Sequence, residues 1–258
     1  MKVAVAGKGG VGKTTVTALL AHVLARRGRE VWAIDADPAP CLGAALGFPA
    51  ELLASLRPVA EMRELVEERT GAIAGGGLVR LNPTVDDIPA RFSAAHAGVR
   101  LLELGSVQEG GGGCICPESA VLRALVSRLL LEPGQVVLLD MYAGVEHLGR
   151  GTADAVDAML IVVEPTGRSL ETAGRIRTLA GDLGIRRLFV VANKVAGDED
   201  RELVAARAPA PVLEMLPVDR GVLAADRAGR AVGDCAPALA GATERLVAAL
   251  EVELQRRP

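Results

Sequence analysis

Gly7-Lys8-Gly9-Gly10-Val11-Gly12-Lys13-Thr14-Thr15 is the stretch that decides the fold. It follows a short apolar run, Val3 to Ala6, and opens a longer amphipathic stretch, Val16 to Arg27. The pattern is G-x-x-x-x-G-K-[ST] in a strand–loop–helix context, which is the signature of a phosphate-binding loop. Its glycines let the backbone N–H groups of residues 9–15 (Gly9, Gly10, Val11, Gly12, Lys13, Thr14, Thr15) converge on phosphate oxygens. The following helix adds the positive end of its dipole. In such a loop Lys13 contacts the β- and γ-phosphates and the Thr14 hydroxyl ligates Mg²⁺.

Outward from this loop the chain alternates. Apolar runs at Val31 to Ile34, Val99 to Leu104, Val136 to Leu139, Met159 to Val163, Leu188 to Ala192 and Val212 to Leu216 read as strands buried on both faces. Pro117 to Leu131, Ser169 to Leu183, Glu199 to Arg207 and Ala236 to Arg256 read as helices. A repeating βα order predicts an α/β fold with a doubly wound, mostly parallel sheet. The 258 residues make one phosphate-loop domain, 1–258, with an irregular, mostly helical insertion at about 39–89.

Composition bounds the function. Half of the chain is apolar, so a full core is available without disulfides. The net charge of −3 argues against nucleic acid as a partner. The apolar runs fall short of the ~18 residues of a membrane span, so no membrane partner is expected. The start, MKVAVAGKGG, turns glycine-rich too early for an export signal, and the expected location is cytoplasmic. Of 29 basic residues only four are Lys: Lys2, Lys8, Lys13 and Lys194. Against an Arg-rich background, each marks a place where a compact ammonium does what a planar guanidinium cannot.

Carboxylates at predicted strand ends supply the rest of the site. Asp35-Ala36-Asp37-Pro38 ends the second strand, where side chains face the ligand crevice. Asp35 either supports a metal shell or caps a turn. Val136 to Asp140 is an apolar run closed by a carboxylate, which places Asp140 on Mg²⁺, with Asp140-Met141-Tyr142-Ala143-Gly144 as a switch segment.

Lys8, right after the first glycine, is not demanded by the general loop pattern. With it, Gly7-Lys8-Gly9-Gly10-Val11-Gly12-Lys13-Thr14 resembles the deviant Walker A of the MinD/ParA/nitrogenase-iron-protein class of ATPases. The resemblance implies a homodimer with face-to-face ATP sites, in which Lys8 reaches the partner's nucleotide. It implies that Asp37 positions the attacking water, so that the catalytic set is Lys8, Lys13, Asp37 and Asp140. It also implies that Asn193, in Val191-Ala192-Asn193-Lys194, contacts the adenine. The loop Pro217-Val218-Asp219 occupies the second base-contacting position, so Pro217 and Asp219 are further candidates.

Gly110 to Gly113 lead into Cys114-Ile115-Cys116-Pro117. In extended chain the two thiols share a side, and the following helix N-terminus favours thiolates. Two pairs across a two-fold dimer fit Zn²⁺ or another thiophilic divalent ion. Buried apolar cysteines and a redox pair are the competing readings. Cys41 and Cys235 have no partner in sequence and read as structural.

The loop, Asp35-Ala36-Asp37-Pro38, Gly112-Gly113-Cys114-Ile115-Cys116-Pro117 and Gly144-Val145-Glu146-His147-Leu148-Gly149-Arg150-Gly151-Thr152 together resemble the carbon monoxide dehydrogenase accessory ATPases, the CooC family. The likeness runs from Met1 to about Asp226. It implies an enzyme turning ATP into ADP and phosphate with Mg²⁺. It implies a client, carbon monoxide dehydrogenase, whose metal cluster receives nickel, and a Cys114/Cys116 site for Ni²⁺ or Zn²⁺ across the dimer. One position departs: the family reads Met-Glu-Ala-Gly after the Walker B aspartate, and here Tyr142 replaces the Glu, which puts the rate of hydrolysis in question. Glu146 and His147 are candidates for metal or partner contact. Two alternatives share the loop, a Min/Par-type positioning ATPase and an electron-transfer ATPase with an interfacial iron–sulfur cluster.

Overall fold

The first strand, β1 (Lys2–Gly7), is buried along its whole length because it runs through the middle of a sheet covered on both faces. This computed structural model describes residues 1–72, 79–105, 117–131, 135–142 and 156–256. The other strands are β2 (Val31–Ala36), β3 (Ala94–His96), β4 (Val99–Glu103), β5 (Val136–Met141), β6 (Ala158–Val163), β7 (Leu188–Val195) and β8 (Val212–Pro217). Their order is β3-β4-β2-β5-β1-β6-β7-β8. All neighbours are parallel except β3, which pairs antiparallel with β4 at one edge. Among the described residues, β3 is the one strand that the hydrophobic pattern misses. Its three residues are too short, and too exposed on an edge, to carry an alternation.

The helices between the strands divide the core in two. On one face α1 (Lys13–Arg26) and the C-terminal α11 (Pro237–Gln255) cover Val3, Val5, Ala33, Leu138 and Leu160 with Leu20, Leu24, Leu246 and Leu250. On the other, α6 (Pro117–Leu131) and α7 (Gly167–Asp182) cover Ala4, Ala6, Ile34, Leu139 and Ile161 with Leu125, Val126 and Ile176. Neighbouring strand residues thus go to opposite cores, and this is why the strands read as unbroken apolar runs. Each such Leu or Ile contributes ~1.5–3 kcal/mol on burial.

Between β2 and β3 the described residues include the short helices α2 (Leu42–Ala45), α3 (Ala50–Ser55), α4 (Arg63–Thr70) and α5 (Ile88–Phe92), and a 3₁₀ turn at Val59–Glu61. Later come α8 (Asp198–Arg207), α9 (Gly221–Ala228) and α10 (Val232–Cys235). Gly221 is required where α9 begins, because any Cβ there would overlap the Cys235 carbonyl.

The topology places the site. From β1 the chain turns one way to β2 and β4, comes back to β5 beside β1, and then runs the other way through β6, β7 and β8. Ligands in such sheets sit beyond the carboxyl ends at this reversal. Register puts Asp35 beside Asp140, Asp140 beside Val5, and Gly7 beside Val162. The ends of β1, β2, β5, β6 and β7 therefore share one edge.

Candidate nucleotide site

The loop from Gly7 to Thr15 has the backbone that its glycines permit. Gly7, Gly10 and Gly12 have φ of 151°, 82° and 96°. A Cβ at Gly7 would overlap the Val162 carbonyl of β6, and one at Gly12 would overlap the Asn193 side chain. The loop is thus pressed onto the ends of β6 and β7, where only glycine fits. Gly12 is the N-cap of α1 and supplies no side-chain cap, and the first turn of α1 holds no acidic residue. Its leading N–H groups are left to an external acceptor, which is the arrangement that binds phosphate.

Lys13 is buried, with its ammonium 3.5 Å from the Lys8 carbonyl. Burial lowers its pKa, while Asp140 and Asp37 act in the opposite direction and favour the charged form. Lys8 itself is half-buried, and its ammonium has no hydrogen bond or ion pair among the described residues.

Asp140, at the end of β5, is 2% exposed. The Thr14 hydroxyl donates to its carboxylate, yet Oδ1 has no hydrogen-bond partner among the described residues. Burial pushes its pKa up to about 7; the Thr14 hydrogen bond and Lys13 pull it down, and Asp35 and Asp37 add to the rise. An orphaned carboxylate oxygen beside a threonine hydroxyl is a hard-oxygen donor set of the kind Mg²⁺ takes. Thr14 and Asp140 are the residues that would hold the ion. Bound there, it would neutralise charge on the β- and γ-phosphate oxygens.

Asp35 takes the turn-capping role. Its Oδ1 accepts the Asp37 N–H at 3.0 Å, and its Oδ2 accepts the Cys41 and Leu42 N–H groups, both at 2.9 Å. Buried and occupied by three backbone donors, it fixes the 37–42 loop and the start of α2 instead of facing a metal. Burial raises its pKa against those hydrogen bonds. On this loop Asp37 is half-buried and accepts the Ala39 N–H at 2.9 Å. Cys41 lies at the surface, its Sγ donates to the Ala39 carbonyl at 3.0 Å, and partial desolvation of the sulfur together with Asp35 and Asp37 holds its thiol above the ordinary range.

Asn193, at the end of β7, is buried and donates from Nδ2 to the Val11 carbonyl at 2.9 Å. One of its two amide hydrogens thus supports the loop. Asp219 accepts the Gly221 N–H at 2.7 Å on Oδ1 and the Ala238 N–H at 2.9 Å on Oδ2. That carboxylate ties the loop after β8 to the start of α11. Pro217 is the last residue of β8, and Val218 beside it is exposed.

The rarity of lysine marks Lys194 in the sequence but not its role, and nothing in the sequence marks Glu164. Lys194 reaches back to the loop, with Nζ 2.7 Å from the Gly10 carbonyl and 3.3 Å from Glu164 Oε2. The scarcity of lysine and the adjacency to Asn193 were the available signals. Cys114, Cys116, Gly144, Glu146 and His147 lie outside the described residues. Tyr142 lies just beyond β5 and is 50% exposed.

Residues 2–232 match the family model of the CobQ/CobB/MinD/ParA nucleotide binding domain. The carbon monoxide dehydrogenase accessory protein CooC of Rhodospirillum rubrum is 47% identical over 97% of this chain and 96% of its own length. The chain belongs to the CooC family. This CooC-family chain is also 42% identical to an uncharacterised ATP-binding protein of Methanocaldococcus jannaschii, over 90% of the chain and 91% of that relative. Among solved structures, the Aquifex aeolicus cell division protein MinD aligns with a TM-score of 0.68 at 20% identity, covering 100% of this chain and 99% of that one, a likeness of fold. The chain is a nucleotide-binding ATPase, and its fold brings the glycine loop, Lys13, Thr14 and Asp140 together at one edge of the sheet.

Proposed function

We propose that this CooC-family ATPase works as a homodimer that assists nickel insertion into the metal cluster of carbon monoxide dehydrogenase. The observation that carries the reading is the 47% identity to CooC across nearly the full length of both chains. In this reading ATP binds with its phosphates on the loop N–H groups, Lys13 and Mg²⁺. Asp37, on the loop that Asp35 holds, orients the attacking water. Lys8, whose ammonium is unpaired among the described residues, crosses to the partner's nucleotide. Asn193 and the Pro217–Asp219 loop border the adenine.

Cys114 and Cys116 of two copies together take Ni²⁺ or Zn²⁺, with nickel as cargo. Metal and nucleotide are coupled only if the metal binds the two nucleotide states with different affinity. The net charge of −3 supports a protein client over a DNA output. Among the described residues no helix is long and apolar enough to cross a membrane. A cytoplasmic location is part of the proposal.

Metal stoichiometry tests it. Reduced protein is loaded with Ni²⁺ or Zn²⁺ and sized with ADP or an ATP analogue, beside the Cys114→Ser/Cys116→Ser variant. One metal per dimer, lost in the variant, is the expected result. Binding that does not depend on these thiols would remove the interfacial metal site. A visible iron–sulfur chromophore at the same stoichiometry would favour the electron-transfer alternative.

A further inference from the structure

We infer that Lys194, braced by Glu164, is a positioning residue of the ATPase site that fixes the orientation of the phosphate loop. Lys194 has φ of 63°, the left-handed region that side chains with a Cβ rarely adopt. A strained residue of this kind persists where the surroundings over-determine it. The surroundings here are specific. Its Nζ donates to the Gly10 carbonyl at 2.7 Å and pairs with Glu164 Oε2 at 3.3 Å.

Glu164 is itself held from the side of α7. Its N–H donates to the Ser169 hydroxyl at 3.1 Å, and the Ser169 N–H donates to the Thr166 hydroxyl that caps the helix. Three strand ends, those of β1, β6 and β7, are thus tied through one ammonium.

The consequence follows from peptide geometry. In a trans peptide the carbonyl of one residue and the N–H of the next point in opposite directions. Lys194 holds the Gly10 carbonyl, and Asn193 Nδ2 holds the Val11 carbonyl, 2.9 Å away. Fixing these two consecutive carbonyls from one side fixes the Val11 and Gly12 N–H groups on the other, with the Val11 N–H turned onto the Lys8 carbonyl at 3.4 Å inside the loop. The strut acts through the loop and not on the nucleotide directly. A lysine suits the task because a single-point ammonium fits between a carbonyl and a carboxylate where a guanidinium fork would not. In a chain with four Lys among 29 basic residues, that choice is informative.

The Lys194 side chain is 47% exposed and that of Glu164 26%, so the ion pair adds little to global stability. Binding and stability should therefore separate. The test compares the wild-type chain with Lys194→Ala, Lys194→Gly, Glu164→Gln and the Lys194→Ala/Glu164→Gln double variant. MgADP affinity, steady-state ATP hydrolysis and the Tm of the nucleotide-free protein are measured for each.

Lys194→Ala and Lys194→Gly should both weaken MgADP by about tenfold, the loss of one charge-assisted hydrogen bond. KM for ATP should rise by a similar factor, while kcat changes by less than about threefold, since ground state and transition state lose the same contact. Lys194→Gly, freed of backbone strain, should melt no lower than Lys194→Ala. Glu164→Gln should cost about twofold, and the double variant no more than Lys194→Ala alone, because the carboxylate acts through the ammonium.

Wild-type affinity in Lys194→Ala would overturn the inference. So would restoration of affinity in Lys194→Gly, which would put the effect in the backbone. Additive losses in the double variant, or a fall in kcat at unchanged KM, would also overturn it.

Discussion

Asp140→Asn should make the nucleotide-free protein more stable at pH 8 even as it removes the carboxylate proposed to hold Mg²⁺. Asp140 titrates at about 7 in the folded chain against 3.8 for an ordinary aspartate. The folded state therefore holds this proton more tightly than the unfolded one. Between about pH 4 and pH 7 folding takes up the proton, and stability falls as pH rises. Above about pH 7 the full cost is present, ~4 kcal/mol at 1.36 kcal/mol per pH unit.

Asn has the same shape and keeps an acceptor for the Thr14 hydroxyl. At the position of the unpartnered Oδ1 it places a buried amide with no acceptor, which costs ~1–3 kcal/mol. The net gain at pH 8 is then ~1–3 kcal/mol. At pH 5 the ionisation cost has dropped to ~2 kcal/mol, and the two proteins should be close to equal. Asp35 and Glu103 are also pushed upward by burial, but they are present in both proteins and largely cancel.

Urea denaturation with a chelator at pH 8 and pH 5 reads the difference directly. A variant less stable than wild type at pH 8 would refute the reasoning. So would a gain that does not change with pH, because the argument assigns the change with pH to this one carboxyl.

Other outcomes follow from the same geometry. Apparent Mg²⁺ affinity for the ATPase should fall by about tenfold per pH unit below about 7, as the proton competes for Asp140; a titration of activity against Mg²⁺ at several pH values measures it. Gly12→Ala forces a Cβ into the Asn193 amide at φ of 96° and should cost ~2 kcal/mol of stability and most nucleotide binding, by melting and ADP titration. Asn193→Ala leaves the Val11 carbonyl without its 2.9 Å donor and should weaken MgADP by ~1–3 kcal/mol, with GDP and ADP affected alike if the loss lies in the phosphate cradle. Gly221→Ala drives a Cβ into the Cys235 carbonyl and should lower Tm by an amount equivalent to ~2 kcal/mol or more, while the folded fraction still binds nucleotide.

The fold was legible because its signals are local. Seven apolar runs, each closed by a turn or a charge, coincide with seven strands, and their lack of alternation reports helices on both faces. The edge strand at Ala94–His96 left no such mark, since three half-exposed residues are held by pairing with β4 alone. The sequence also put the glycine loop after β1 and Asp140 at the end of β5, and the structure sets Thr14 against Asp140 there; such a loop holds its glycines and lysine at fixed spacing.

Roles that depend on what a side chain meets across the sheet were not. Asp35 and Asp37 are two residues apart in one motif, yet three backbone donors from the 37–42 loop claim Asp35 and make it a clamp. Asp219 is likewise taken up by the starts of α9 and α11. Cys41 is brought to the surface near Asp35 and Asp37, although spacing gave it no partner. Lys194 lies 184 residues from the carbonyl that it holds, a pairing with no signal in chain order. The sequence alone determined which chemistry the chain carries, because loop conformation and strand burial are short-range consequences of residue type. Which carboxylate is free for a metal and which amine braces the loop was decided by the parallel sheet, which gathers five distant strand ends on one edge and leaves hydrogen-bond competition to assign each group its partner.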